Sequence, residues 1–388
     1  MITHPSLSAD RLVEPLHPVE TMAPYVQCWC RSGKKYKWCH HRREQQQPMN
    51  IFEVENLMHA ELRDGYCSFP GMEQDPCSAT IARAHTIQRR GGLGLIADDH
   101  HVLTVKPTMK MMIEAEGKPA PRRIGVGNAS VFPGFCGKHD TSLFKAIEGK
   151  QLLIDSASAF LFAYRAIAYE CFAKEAQMRI ISIQRDMDCG HPFWKQAIIQ
   201  EHLHALLAGI RVGMRDVDYW KALFDASLNS TDRADFHFVA VRFDTVLPFV
   251  AATAFHAEFD LTGKLLQRLG RGAVQFEHMS VNVTAFEGET ILVLGWIGAD
   301  AGPAARLAQS FLDIADDRKA DALLQLLFVQ SDNIFLSPSW WANLPAESQE
   351  TLVGLIQSGT TMRERKAEDF ALAEIPMSLA KVVEIMCG

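Results

Sequence analysis

Cys28-Trp29-Cys30-Arg31-Ser32-Gly33-Lys34-Lys35-Tyr36-Lys37-Trp38-Cys39-His40 decides how this chain is read. Two cysteines flank one tryptophan, eight residues follow, and a cysteine and a histidine then stand side by side. Four nitrogen and sulfur donors at this spacing suit a tetrahedral zinc ion, and a full set of four marks a structural site rather than a catalytic one. Gly33 permits the tight reversal that brings both donor pairs to one ion. So short a segment has no core of its own, so metal binding would supply its folding free energy.

Outward from the knuckle, His41-Arg42-Arg43-Glu44 and the glutamines up to Pro48 form a polar linker, and a new unit begins near Asn50. The next cysteines are Cys67 and Cys77, followed much later by Cys136 and His139. Cys136 and His139 have ligand spacing at a turn into a helix over Thr141–Glu148. With Cys67 and Cys77 they can close a second zinc site, two ligands from an early turn and two from a helix start, as in a treble clef. Between them Val102–Val105 is apolar and β-branched and reads as a strand. Cys171, Cys189 and Cys387 stand alone, as buried apolar residues commonly do.

The first cluster, with its Ser-Gly-Lys-Lys-Tyr-Lys core, resembles the SEC-C motif, named for the C-terminal tail of the preprotein translocase ATPase. That resemblance implies a zinc knuckle used to dock a protein partner. It does not imply a translocase, because a phosphate-binding loop of the Gly-x4-Gly-Lys-Ser/Thr type is missing.

Residues 66–148 resemble an HNH-type domain in part, with Ala84-His85, Asn128 and Cys136-x2-His139-Asp140 at the motif positions. The resemblance implies a general-base role for His85 on a water attacking phosphorus, an orienting role for Asn128 and a metal-ligand role for Asp140. Magnesium or manganese would be the catalytic ion, beside two structural zinc ions. Ala84 stands where the family has a metal-binding aspartate, so one expected ligand is missing. Asp98, Asp99, His100 and His101 are the nearest substitutes in sequence. Ala84-His85-Thr86-Ile87-Gln88, Phe135-Cys136-x2-His139-Asp140 and Phe144-x2-Ile147-Glu148 also match a recurring segment of uncharacterised bacterial proteins. By analogy such combinations belong to bacterial defence. The expected function is a metal-dependent HNH-like endonuclease. The alternative is a non-catalytic zinc-stabilised module that binds nucleic acid or protein.

Charge supports the same division. The 388 residues carry net −7, yet residues 21–150 are net +5 and residues 151–388 are net −10. The basic, zinc-rich segment is therefore the expected nucleic-acid contact. No apolar run is long enough to cross a membrane, and Met1–Pro24 lacks the apolar core of an export signal, so a cytoplasmic location is expected. Reduced thiols there favour metal over disulfides.

The expected architecture is α+β: a tail and knuckle over 1–48, a treble-clef HNH-like zinc domain over 49–150, and an α+β domain over 151–388. Gln151–Arg185 and Pro192–Leu228 are apolar at helical spacing. Phe236–Phe243, Leu247–Phe259, His278–Phe286 and Thr290–Ile297 alternate as strands, the last two joined by a hairpin at Glu287-Gly288-Glu289. Pro303–Ser331 returns to helix, Asn333–Leu344 is a loop carrying Trp340 and Trp341, and Glu347–Gln357 and Phe370–Met386 are closing amphipathic helices. His202 and His204 are two apart and diverge on a helix, so they make no metal pair. His237, His256 and His278 lie on strands, and a shared site among them would be a third functional reading.

Overall fold

The computed structural model describes residues 13–106, 108, 111, 120–149, 152–228, 230, 233–267, 275–360 and 380–388. Ten strands and eight α-helices are formed by these residues. The strands are β1 (Ala84–His85), β2 (His101–Thr104), β3 (Arg122–Gly125), β4 (Val131–Phe132), β5 (Phe236–Phe243), β6 (Phe249–His256), β7 (His278–Phe286), β8 (Glu289–Ile297), β9 (Ile334–Leu336) and β10 (Val382–Cys387). The helices are α1 (Ile51–Glu61), α2 (Gly137–Glu148), α3 (Ser156–Gln184), α4 (Phe193–Leu228), α5 (Pro303–Leu312), α6 (Lys319–Gln330), α7 (Pro338–Asn343) and α8 (Ala346–Thr360).

Eight strands form one sheet in the order β10-β5-β8-β7-β6-β9-β2-β3, and every pairing is antiparallel. Glu287 and Gly288 both have positive φ, 51° and 89°, which gives the β7–β8 hairpin the twist its strands need. Period-two alternation divides the sheet's side chains between two faces. Val239, Val241, Val281, Val283, Leu292 and Leu294 pack with α5, α6 and α8. Ala240, Ala254, Ile291 and Val293 point the other way, into α3 and α4. A third cluster sets Ile87, Leu93 and Ala129 against Val102, Val250, Ala252 and Phe335. The sheet thus runs across the boundary expected at residue 150, since β2 pairs with β9.

Helix α3 begins where Asp155 accepts a hydrogen bond from the Ser158 backbone N–H at 2.8 Å, with the reciprocal Ser158 bond completing a capping box. The expected helix over Gln151–Arg185 therefore starts at Ser156. The expected single helix over Pro303–Ser331 is two helices, because Leu312 to Arg318 carries the chain round a corner. Asn333–Leu344 is not a plain loop: it holds β9 and the short α7, capped by Ser337. Trp341 stacks on Phe328 of α6 at 6.5 Å, so the tryptophan pair packs inward. The closing helix expected over Phe370–Met386 is overturned in its last part, where 382–387 is strand β10; the earlier part lies outside the described residues. Val382–Cys387 pairs antiparallel with β5 across a register shift between Val382 and Glu384, and pairing to an open sheet edge wins over helical amphipathicity.

Candidate metal centres

Residues 26–36 form a miniature hairpin. Cys28 N–H donates to the Lys34 carbonyl at 3.0 Å, Tyr36 N–H donates to the Val26 carbonyl at 2.8 Å, and Gly33 turns the corner at φ 80°. A single tight turn over Tyr36–Trp38 then returns the chain, so Cys39 and His40 face Cys28 and Cys30. The four ligand atoms lie within 4.8 Å of one another, and all four residues are buried. His40 Nδ1 stands 3.2 Å from both Cys28 Sγ and Cys39 Sγ, and Cys30 Sγ is 3.5 Å from Cys39 Sγ. A tetrahedral zinc ion sets ligand separations of about 3.5–3.8 Å, so three thiols and an imidazole at these spacings fit one ion closely.

The second group is Cys67, Cys77, Cys136 and His139, again within 4.8 Å of one another. Strands β1 and β4 pair, and the backbone of residues 66–68 is bonded to the carbonyls of Pro133 and Gly134, which places Cys67 beside Cys136. Cys136 is the N-cap of α2, and His139 lies in its first turn, fully buried. His139 Nδ1 is 3.3 Å from Cys67 Sγ, 3.3 Å from Cys136 Sγ and 3.7 Å from Cys77 Sγ. Burial pushes the Cys136 thiol up, but hydrogen bonds from the His139 backbone and from Ser78 outweigh it and bring it down to about 6. A thiolate at a helix N-terminus is what a zinc ligand requires. Both Cys3His groups can therefore hold zinc.

A shared outer contact was invisible in the sequence. In each group Nδ1 faces the thiols and Nε2 faces a carboxylate. His40 Nε2 is 2.8 Å from Asp188 Oδ2, and His139 Nε2 is 3.3 Å from Asp75 Oδ2. Such a carboxylate fixes the tautomer and makes the imidazole a better donor to metal. Asp188 is fully buried and also accepts from Arg43 Nε and from Gln200 Nε2, the latter at 2.7 Å. The knuckle is thereby fastened to the end of the α3–α4 hairpin, with Arg185 Nη1 donating to the Cys30 carbonyl at 3.1 Å and Trp29 edge-on to Phe193 at 5.9 Å. Only the 148-residue separation of His40 and Asp188 hid this contact.

Of the three expected catalytic residues, Asp140 directly follows His139 of the second group, and His85 and Asn128 stand earlier in the chain. His85 ends β1, and its Nδ1 is 2.9 Å from the Ala129 carbonyl. A carbonyl only accepts, so Nδ1 carries the proton and Nε2 is the unprotonated nitrogen. Burial holds His85 below the ordinary histidine range, against the Ala129 bond, and Arg89 and Arg83 push the same way as burial. Asn128 does not meet His85: its Oδ1 accepts from Arg83 Nη2 at 2.9 Å, and the neighbouring Ala129 carbonyl orients the ring instead. Asp140, in the first turn of α2, has its Oδ1 buried without a hydrogen-bond partner. Arg165 reaches Glu148 Oε1 at 2.6 Å, one turn pair further along the same helix face. Asp98, Asp99, His100 and His101 do not assemble with these groups. Among the described residues, the two Cys3His sets are where three or more metal-ligating side chains converge. His256 and His278 face each other across β6 and β7, with ring centroids 5.7 Å apart, while His237 lies against Trp296 and Asp300, so the three strand histidines form no common site.

Compared with known proteins, the chain matches no family model, no curated protein and no solved structure. Among the described residues no helix is long and apolar enough to cross a membrane.

Proposed function

We propose that the chain is an HNH-like endonuclease whose two zinc ions are structural and whose hydrolytic base is His85. The observation that carries this reading is the His85 ring itself. Its Nδ1 proton is spent on the Ala129 carbonyl, its Nε2 is left as the acceptor, and burial with nearby arginines keeps it neutral. A neutral, oriented imidazole can take a proton from an attacking water. Arg83 and Arg89, whose charges act on His85, supply the positive field in which a phosphodiester is held. The net +5 of residues 21–150 favours a nucleic-acid substrate.

The residues present fit zinc twice, as Cys3His sets. They fit a magnesium or manganese ion less well: Asp140 Oδ1 offers one buried oxygen, and a second ligand is not gathered beside it among the described residues. The side chains supply two roles: neutral His85 takes the proton of the attacking water, and Arg83 and Arg89 offset the phosphate charge; a divalent ion, where bound, would stabilise the leaving oxygen, which takes its proton from solvent. Asn128 acts on Arg83 rather than on the base.

A second reading is favoured by that same shortage of acidic ligands: a zinc-stabilised module that binds nucleic acid or protein without cutting. Plasmid cleavage by the purified chain, with magnesium and then manganese, beside His85→Ala, separates the two. The nuclease reading expects cleavage that falls about 100-fold or more in the variant while zinc content is unchanged. An intact plasmid with both proteins and both metals would replace it with the binding reading.

A further inference from the structure

The aromatic side chains of the knuckle divide into an inner and an outer pair. Trp29 and Tyr36 are buried against the metal group. Tyr25 and Trp38 are 64% and 69% exposed, more than any other Phe, Tyr or Trp among the described residues. Rings exposed singly are ordinary, but two brought together on one surface point to a partner.

One lysine joins the outer pair. Lys37 Nζ lies 5.2 Å from the centre of the Tyr25 ring and 5.1 Å from that of Trp38. It also donates to the Tyr25 hydroxyl at 3.3 Å, and Lys35 Nζ lies 5.8 Å from the same ring. The backbone beneath is fixed on both sides of Tyr25. Tyr36 N–H donates to the Val26 carbonyl and Lys37 N–H to the Pro24 carbonyl, both at 2.8 Å. Trp38 N–H donates to the Lys35 carbonyl at 2.9 Å.

Charge along this stretch has one sign. Residues 21–43 contain no Asp or Glu, and Arg31, Lys34, Lys35, Lys37 and Arg42 are exposed. Arg31 is partnered by Glu14. Three thiolates would give a bound zinc ion one net negative charge, but Cys28, Cys30 and Cys39 are buried behind the surface. Exposed lysines need no counter-charge to be stable. What they do is draw an anionic polymer to the rings beside them.

We propose that Tyr25, Trp38, Lys35 and Lys37 form a platform for single-stranded nucleic acid, with bases stacked on the two rings and phosphates on the two lysines. An exposed ammonium–ring contact is weak, so a phosphate can draw Lys37 aside and free the ring faces. A duplex keeps its bases stacked on one another and gives the rings nothing to hold. An acidic polypeptide would meet the lysines but brings no base to the rings. The platform rests on the nucleic-acid reading above and adds to it the form of strand that is held.

Fluorescence anisotropy of a labelled oligothymidylate with the zinc-loaded full chain, without magnesium or manganese, tests it apart from cleavage. Saturable binding is expected, weakened about fivefold or more by Tyr25→Ala and likewise by Trp38→Ala, with zinc content unchanged. Lys35→Gln combined with Lys37→Gln should flatten the slope of log affinity against log salt by about 1.4, the share of two phosphates on a single strand. Annealing the strand to its complement should weaken binding and make it indifferent to the ring variants. Polyglutamate binding as tight as the oligonucleotide, and equally indifferent to the rings, would replace the strand with an acidic protein. No strand binding, or strand binding that both ring variants leave untouched, overturns the proposal. A chain that cuts plasmid but does not bind the oligonucleotide would keep the nuclease reading and lose the platform.

Discussion

His40 and His139 show how one residue contact divides two chemically identical ligand sets. Each imidazole hands Nε2 to an aspartate, but Asp188 is fully buried and Asp75 is about half exposed. Water competes for Asp75 and is replaced at Asp188 by Arg43 and Gln200. An electrostatic contact counts for more where water is excluded. Asp188→Asn should therefore release knuckle zinc to a chelator about 10- to 100-fold faster, the usual range for an outer partner of a metal-bound histidine. Asp75→Asn should change the other site by much less. Chelator-competition kinetics with a colorimetric zinc indicator read both, and equal rates in the two variants would count against burial as the deciding factor. His85 makes a second prediction at this scale. Burial and the arginines lower its proton affinity. The base therefore stays unprotonated below the ordinary histidine range, so the acid limb of a cleavage pH profile should fall below pH 6.5.

At the scale of elements, the sequence was most legible where a period or a spacing is local. The eight ligands of the two metal groups were visible because donor type and spacing are nearly sufficient to specify a site. The four long strands and the two long helices were visible from their periodicity. What escaped depends on partners distant in sequence. The Arg122–Gly125 segment is a strand only because β2 lies beside it, and β2 joins the sheet only through β9, more than 200 residues away. Asn128 was expected on His85, but which of two neighbouring groups reaches a ring is set by backbone geometry that no spacing encodes. Strand β10 is the sharpest case. Its apolar positions suit a helix or an edge strand equally, and the open flank of β5 decides. Val383 and Ile385 remain exposed on it, while Val382 and Met386 pack on the two cores. Removing residues 381–388 should leave the backbone groups of β5 unpaired, lower Tm by several degrees and promote association through the new edge. Thermal melts and light scattering check this; an unchanged, monodisperse protein would show that β10 adds nothing to the sheet.

Across the whole molecule, the sheet and the hairpin tie the two Cys3His groups into one body. Arg165 of α3 lies by the second group's helix α2, and Arg185, just beyond α3, touches the knuckle. Twenty residues of helix separate them by about 30 Å. The centre of this body also carries a pH-sensitive group. His278 starts β7, a central strand, and its Nδ1 donates to the Phe276 carbonyl at 3.0 Å. Burial, with the neighbouring Lys174 charge, pushes it down to about 3 from an ordinary 6.5. The folded chain thus refuses a proton that the unfolded chain accepts. The sign follows: stability is complete above pH 6.5 and is lost as pH falls toward about 3, at up to about 1.4 kcal/mol per pH unit from this residue. Loss of any zinc held by the two Cys3His groups would also destabilise the chain in acid, so the informative quantity is a difference. Urea unfolding of the wild type and of His278→Gln should give curves that diverge between pH 6.5 and 5, with the variant losing about 2 kcal/mol less over that interval. His278 sits away from both Cys3His groups, so metal loss affects the two proteins alike. Parallel curves would mean that the imidazole is charged inside the fold, with Glu170 and Lys174 rearranged to receive it.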